Sequence, residues 1–173
     1  MPEQDPRSSR QEWLLALLAR HQASLTHYAA RLVGDVEKAR DLVQETFLKL
    51  WREGPEAVGD NPPAWLFTVC RNLAFDNLRK EKRMVPMTGA DEAMIASTEA
   101  PDHSLEASQG MSGVLAALGS LPKSQQEVLR LKFQNGLSYK DISRITGHSV
   151  SHVGVMIHSG VKTLRQNLKG GAK

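Results

Sequence analysis

The stretch "LSYKDISRITGHSVSHVGVMIHSGVKTLR", Leu137 to Arg165, carries its own punctuation. Ser138 stands three residues before Asp141, the spacing of a capping box with aspartate in place of the usual Glu or Gln. Ile142 and Ile145 share one face of a short helix over 139–146. Gly147-His148 turns the chain, and Ser149 is placed to cap a longer helix. On that helix Val153, Ile157, Val161, Leu164 and Leu168 recur at steps of 4, 4, 3 and 4, an inward stripe. Ser151, His152, Val155, Ser159, Lys162 and Arg165 are left outward or flanking. Short helix, tight turn and longer helix make the grammar of a helix-turn-helix.

Upstream of this unit, Pro122 fits the first turn of a helix running through Val128, Leu129, Leu131 and Phe133, and Asn135-Gly136 ends it. A short helix from Leu105 through Val114, Leu115 and Leu118 precedes it. Residues 84–109 hold five acids, no Lys or Arg, and two prolines, and they read as a flexible acidic linker. Toward the N-terminus, apolar periodicity runs from Trp13 to Leu32 and stops at Gly34. Ala39, Leu42, Val43, Thr46, Phe47, Leu50 and Trp51 then alternate at steps of 3 and 1, the stripe of an amphipathic helix ended by Gly54-Pro55. After a loop, "EGPEAVGDNPPA", a third long helix starts with Trp65, Leu66, Val69, Cys70 and Leu73 and closes on the basic run "RKEKR" at 79–83. No strand alternation interrupts this. The expected fold is all-α: two small helical domains joined by a flexible acidic linker, the C-terminal one a helix-turn-helix.

The bulk numbers narrow the function classes. A single cysteine, Cys70, excludes an internal disulfide and a multi-cysteine zinc site, and suits a reducing cytosol. The apolar run "WLLALLA" is seven residues long, against roughly 20 for a membrane span, so a soluble cytoplasmic protein without membrane insertion is expected. The net charge of +3 is unevenly spread. Residues 1–83 sum to +1, residues 84–109 to −5 and residues 110–173 to +7. The last segment suits a polyanion, and composition alone equally suits a plain basic helical domain. No Gly-rich phosphate loop, paired-carboxylate signature or nucleophile elbow is present, so no catalytic residue, cofactor or enzyme activity is expected. His148, His152 and His158 raise a metal site, but His148 lies in the turn and no acid or cysteine is close in sequence, so no metal is assigned.

Three segments, "ARDLVQETFLKLW", "PPAWLFTVCRNLAFDNLRKEKR" and "LPKSQQEVLRLKFQNGLSYKDISRITGHSVSHVGVMIHSGVKTLR", occur in this order. Together they resemble the extracytoplasmic-function (ECF) group of bacterial RNA polymerase sigma factors. The resemblance implies a domain over 8–83 that binds core RNA polymerase and recognises and melts the −10 element, a linker over 84–109, and a domain over 110–170 that reads the −35 element. It also implies promoter DNA and an anti-sigma factor as partners.

Each surface has a reading from its residues. Opposite the apolar stripe of helix 39–52 lie Asp41, Gln44, Glu45 and Leu48; a leucine among polar neighbours suits docking, and in the family this face grips the polymerase. Arg71, Phe75, Arg79 and Lys82 follow one side of the third helix, with Lys80 and Arg83 beside them. Cations around a ring suit single-stranded nucleic acid, charge for phosphate and a π-face for a base. The resemblance assigns −10 recognition here and in the preceding loop, where Asn61 is the candidate polar contact to a flipped base. For the −35 element the candidates are Ser149, Ser151, His152, Val155, Ser159, Lys162 and Arg165. Val155 suits a thymine methyl, His152 a base edge, and the helix N-terminus a phosphate. Lys123, Lys132, Lys140 and Arg144 add backbone charge.

One departure stands out. The family usually places basic side chains where this sequence has Gly154, Met156, Ser159 and Val161. Losing four cations is expected to flatten the salt dependence of DNA binding by roughly 0.9 log units per lost phosphate contact. Gly154 and Gly160 each cost about 1 kcal/mol of helix propensity, so close approach to DNA or to another helix is expected to explain them. Two other functions fit: a helix-turn-helix regulator without a polymerase-docking domain, and a protein-interaction module whose uncharged Val155/Met156/Ser159 surface binds a partner after −35 reading has weakened.

The linker sets a length problem. As a coil its 26 residues span about 28 Å, and fully stretched they reach roughly 90 Å. Two duplex turns separate promoter elements by about 70 Å. A relaxed tether falls short, which fits a linker held extended by polymerase; an ordinary acidic tether is the plain alternative.

Overall fold

The computed structural model describes residues 5–84 and 109–171. Eight helices lie among them and no strand: α1 (Pro6–Val33), α2 (Val36–Glu53), α3 (Pro55–Val58), α4 (Pro62–Met84), α5 (Gln109–Gly119), α6 (Lys123–Phe133), α7 (Tyr139–Thr146) and α8 (Val150–Gly170). Helices α1–α4 form one compact unit and α5–α8 a second. The acidic linker expected over 84–109, with the start assigned to Leu105, falls almost wholly outside the described residues.

In the first unit, local chemistry decides where each helix stops. Asp5 accepts from the Arg7 N–H and Pro6 takes the first helical position, so α1 begins with its orphan donors answered. Gly34 closes α1 at φ 75°, and Asp35 caps α2 through bonds of 2.8 and 3.1 Å from the N–H groups of Glu37 and Lys38. Helices α1, α2 and α4 pack against one another in pairs. Their core is Leu25, Tyr28, Ala29 and Leu32 with Leu42, Val43, Phe47 and Leu50, closed by Leu66, Phe67, Cys70 and Ala74. Tyr28 meets Phe67 edge-on at 5.2 Å between ring centroids.

Two stripes shift from their sequence reading. Trp51 is 43% exposed, with the guanidinium of Arg10 on its ring. On α4 the buried face takes Ala64, Phe67 and Ala74, while Trp65, Val69 and Leu73 are half-buried, since α4 serves two neighbours at once. The loop at 53–64 also holds the single-turn α3.

In the second unit α8 is the hub, with α5, α6 and α7 all packed on it. The capping box at Ser138 and Asp141 is formed in both directions, at 3.1 and 3.2 Å. Gly136 and Gly147 turn the chain at positive φ, and Ser149 accepts from the His152 N–H at 3.1 Å. Ile142, Ile145, Val153 and Ile157 are buried as their periodicity requires. Phe133, by contrast, is 65% exposed at the end of α6, and Val161 and Leu168 lie at the margin of the α8 stripe. Met156 and Gly160 take the inward places instead.

Candidate functional site

On α2, the stripe that buries Leu42, Val43, Thr46, Phe47 and Leu50 turns Asp41, Gln44, Glu45 and Leu48 outward, and all four are exposed. Leu48 is 52% exposed. Near the start of this face Lys38 reaches Glu81 at 2.5 Å, which ties α2 to the far end of α4 and pushes the Lys38 ammonium above its ordinary value through that hydrogen bond.

On α4, the expected row is present and its internal chemistry is visible. The Arg71 guanidinium stacks over the Phe75 ring at 4.5 Å. Both residues are half-buried. Arg79 is ion-paired with Asp76 at 3.1 Å, and Lys80, Lys82 and Arg83 are carried on the last turns. Asn61 accepts from the Ala64 N–H at 3.3 Å, capping α4, so the residue proposed for a flipped base also fixes the start of the helix. Behind this row Cys70 is fully buried, and desolvation pushes its thiol up to about 12 despite a hydrogen bond with Thr46.

On α8, Ser149, Ser151, His152, Val155, Lys162 and Arg165 are exposed, and Val155 is 62% so. His152 meets His148 edge-on at 5.1 Å. Ser159 is exposed as a residue, but its hydroxyl accepts from Gln125 Nε2 at 2.8 Å and donates to the Met156 carbonyl at 3.4 Å. The same Gln125 amide also donates to the Met156 carbonyl at 3.0 Å. The four uncharged positions are thus not equivalent. Met156 is buried, so this position has exchanged surface charge for apolar contact, and Val161 is half-buried. Gly154 and Ser159 are the two that border the surface beside Val155. Gly160 answers to another helix: a Cβ there would stand 2.8 Å from Leu129 Cδ1 and 3.2 Å from Gln125 Nε2, both on α6. Gly154 has no such neighbour, since a Cβ would meet only the Tyr139 ring at 3.5 Å.

Residues 17–84 match Sigma-70 region 2, and residues 113–164 match Sigma-70, region 4. The ECF RNA polymerase sigma factor SigL of Mycobacterium tuberculosis is 32% identical over 89% of this chain and 88% of its own length. The chain belongs to the ECF family of RNA polymerase sigma factors. This sigma factor is also 37% identical to the ECF RNA polymerase sigma factor EcfG of Rhodopseudomonas palustris, over 75% of this chain and 71% of that protein. Among solved structures it is similar to the sigma factor RpoE of Bartonella quintana in complex with the anti-sigma factor NepR, with TM-score 0.63, 28% identity, and coverage of 92% and 98%. It directs transcription initiation with core RNA polymerase, and its helix-turn-helix is the DNA-binding region 4. Among the described residues no helix is long and apolar enough to cross a membrane.

Proposed function

We propose a division of labour between the two units. Residues 8–83 bind core polymerase through Asp41, Gln44, Glu45 and Leu48, and recognise and melt the −10 element through Asn61, Arg71, Phe75, Arg79, Lys80, Lys82 and Arg83. Residues 110–170 read the −35 element through Ser149, Ser151, His152, Val155, Ser159, Lys162 and Arg165. The observation that carries this reading is the exposure of Leu48 amid Asp41, Gln44 and Glu45 on the one face of α2 that its core leaves bare. Opening duplex costs about 1.4 kcal/mol per stacked step. The Arg71–Phe75 pair and the cations beyond it offer bases and phosphates the contacts that offset it.

The linker over 84–109 is held extended by polymerase, so the two DNA-reading units reach their elements only in the holoenzyme. Nucleotide addition belongs to the polymerase, the sigma factor works in the cytoplasm beside it, and an anti-sigma factor of the kind seen with the RpoE relative controls it. Run-off transcription with core polymerase on a genomic library tests the whole: promoter-specific transcripts are expected, and isolated protein that footprints both elements without polymerase would refute the linker role.

A second reading has support of its own. Val155 is widely exposed, Met156 is buried and the Ser159 hydroxyl is turned to Gln125, which leaves the middle of α8 uncharged. In that reading α8 is a protein-interaction surface. Replacing Lys162 and Arg165 by alanine separates the two, because unchanged promoter output favours the interaction surface.

A further inference from the structure

Arg10 belongs to none of the surfaces assigned above. It sits in the second turn of α1, yet its Nη2 donates to the backbone carbonyl of Trp51, 41 residues away, and at 3.5 Å to that of Arg52. These carbonyls lie in the last turn of α2, where the helix supplies no further N–H and carries partial negative charge. The next carbonyl back, of Leu50, is already met by the Gly54 N–H at 2.9 Å. The Arg10 Cζ stands 5.3 Å from the centre of the Trp51 ring, so the guanidinium caps the helix end and covers the indole together.

Gly54 completes the arrangement. Its φ of 79° suits glycine, and a Cβ there would lie 2.9 Å from Arg10 Nη2 and 3.0 Å from Glu56 Oε2. The chain then passes through α3 to Asn61, the cap of α4. Between these ends, Val58 is the one apolar side chain of 55–61 in the core. The strap is held by Arg10 at one end, by Asn61 at the other and by the buried Val58 between them.

We infer that Arg10 is a positioning residue for −10 recognition: by capping α2 against Gly54 it sets the path of the strap 54–61 that delivers the chain into the −10-reading helix. This rests on the −10 assignment made under Proposed function. Without Arg10 the last carbonyls of α2 turn to water and Gly54, the least restrained residue of the chain there, becomes a hinge. The strap then samples several positions, and base discrimination at Asn61 declines.

The test uses holoenzyme assembled from core polymerase and the full chain. The probe is the single-stranded non-template −10 oligonucleotide of a promoter found by run-off transcription, with each base substituted in turn. Wild-type holoenzyme that shows no base preference refutes the −10 assignment itself, independently of Arg10. Given wild-type preference, R10A is expected to assemble with core as before and to lose at least about fivefold discrimination at one or two bases. Undiminished discrimination overturns the inference. So does uniform weakening across all oligonucleotides, which reports only a smaller folded fraction. Should R10A fail to assemble, R10Q, which keeps an N–H donor but loses the charge and the fork, is read by the same outcomes.

Discussion

Two glycines six residues apart on α8 should respond in opposite ways to the same substitution. By helix propensity alone, alanine at Gly154 or Gly160 gains about 1 kcal/mol. At Gly154 nothing opposes this, because the new methyl would lie 3.5 Å from the Tyr139 ring, ordinary contact distance. At Gly160 the methyl would stand 2.8 Å from Leu129 Cδ1 and 3.2–3.3 Å from the Gln125 side chain. Leu129 is buried, and Gln125 is fixed by its two bonds to α8, so neither yields easily. Overpacking of this kind costs about 1–3 kcal/mol, which leaves G160A neutral to about 2 kcal/mol less stable. For a unit of about 60 residues, 1 kcal/mol moves the melting point by roughly 4–8 °C. Thermal unfolding followed by the amide NMR signals of α6 and α8 reads this unit separately from the other. G154A should raise its midpoint and G160A should leave it unmoved or lower it. Equal gains for both would refute the argument that Gly160 exists for the α6–α8 contact.

Other expectations follow from the same geometry. Gly154→Lys should steepen the plot of log binding constant against log salt by about 0.9 for −35 duplex, as one phosphate contact is added. Leu48→Asp should leave stability within about 0.5 kcal/mol, since Leu48 is exposed, while weakening core polymerase binding by about tenfold or more in a pull-down titration. The Cys70 thiol, raised to about 12 by burial, should alkylate at pH 8.5 on the order of a thousandfold more slowly than in denatured protein. Its linkage has a definite sign: the fold favours the neutral thiol, so this contribution is complete below the ordinary thiol value near 9 and is lost as pH rises from there toward 12. A Cys70→Ala variant should lack that alkaline decline in urea midpoint.

Features carried by a few consecutive residues are legible in the sequence alone. Ser138 and Asp141 close a capping box, Gly34 and Gly147 end helices at positive φ, and Ser149 starts α8, because each outcome depends on backbone groups within four residues. The same holds for the outward face of α2. An uninterrupted apolar stripe leaves only one opposite side, so burial of Leu42, Phe47 and Leu50 places Asp41, Gln44, Glu45 and Leu48 outside. The order of the motifs along the chain is enough for the family.

The margins of the stripes are decided only by tertiary packing. Met156 is inside and Phe133 outside because α6, α5 and α7 crowd α8 at angles that periodicity does not specify. Gly154 and Gly160 look alike in sequence, yet only one faces a leucine of another helix. The Arg10 cap joins residues 41 positions apart, and no local pattern marks an arginine for a carbonyl so distant. Sequence periodicity names the face a helix buries, whereas the width of that face, and the long side chains that reach across it, depend on where the neighbouring helices come to rest.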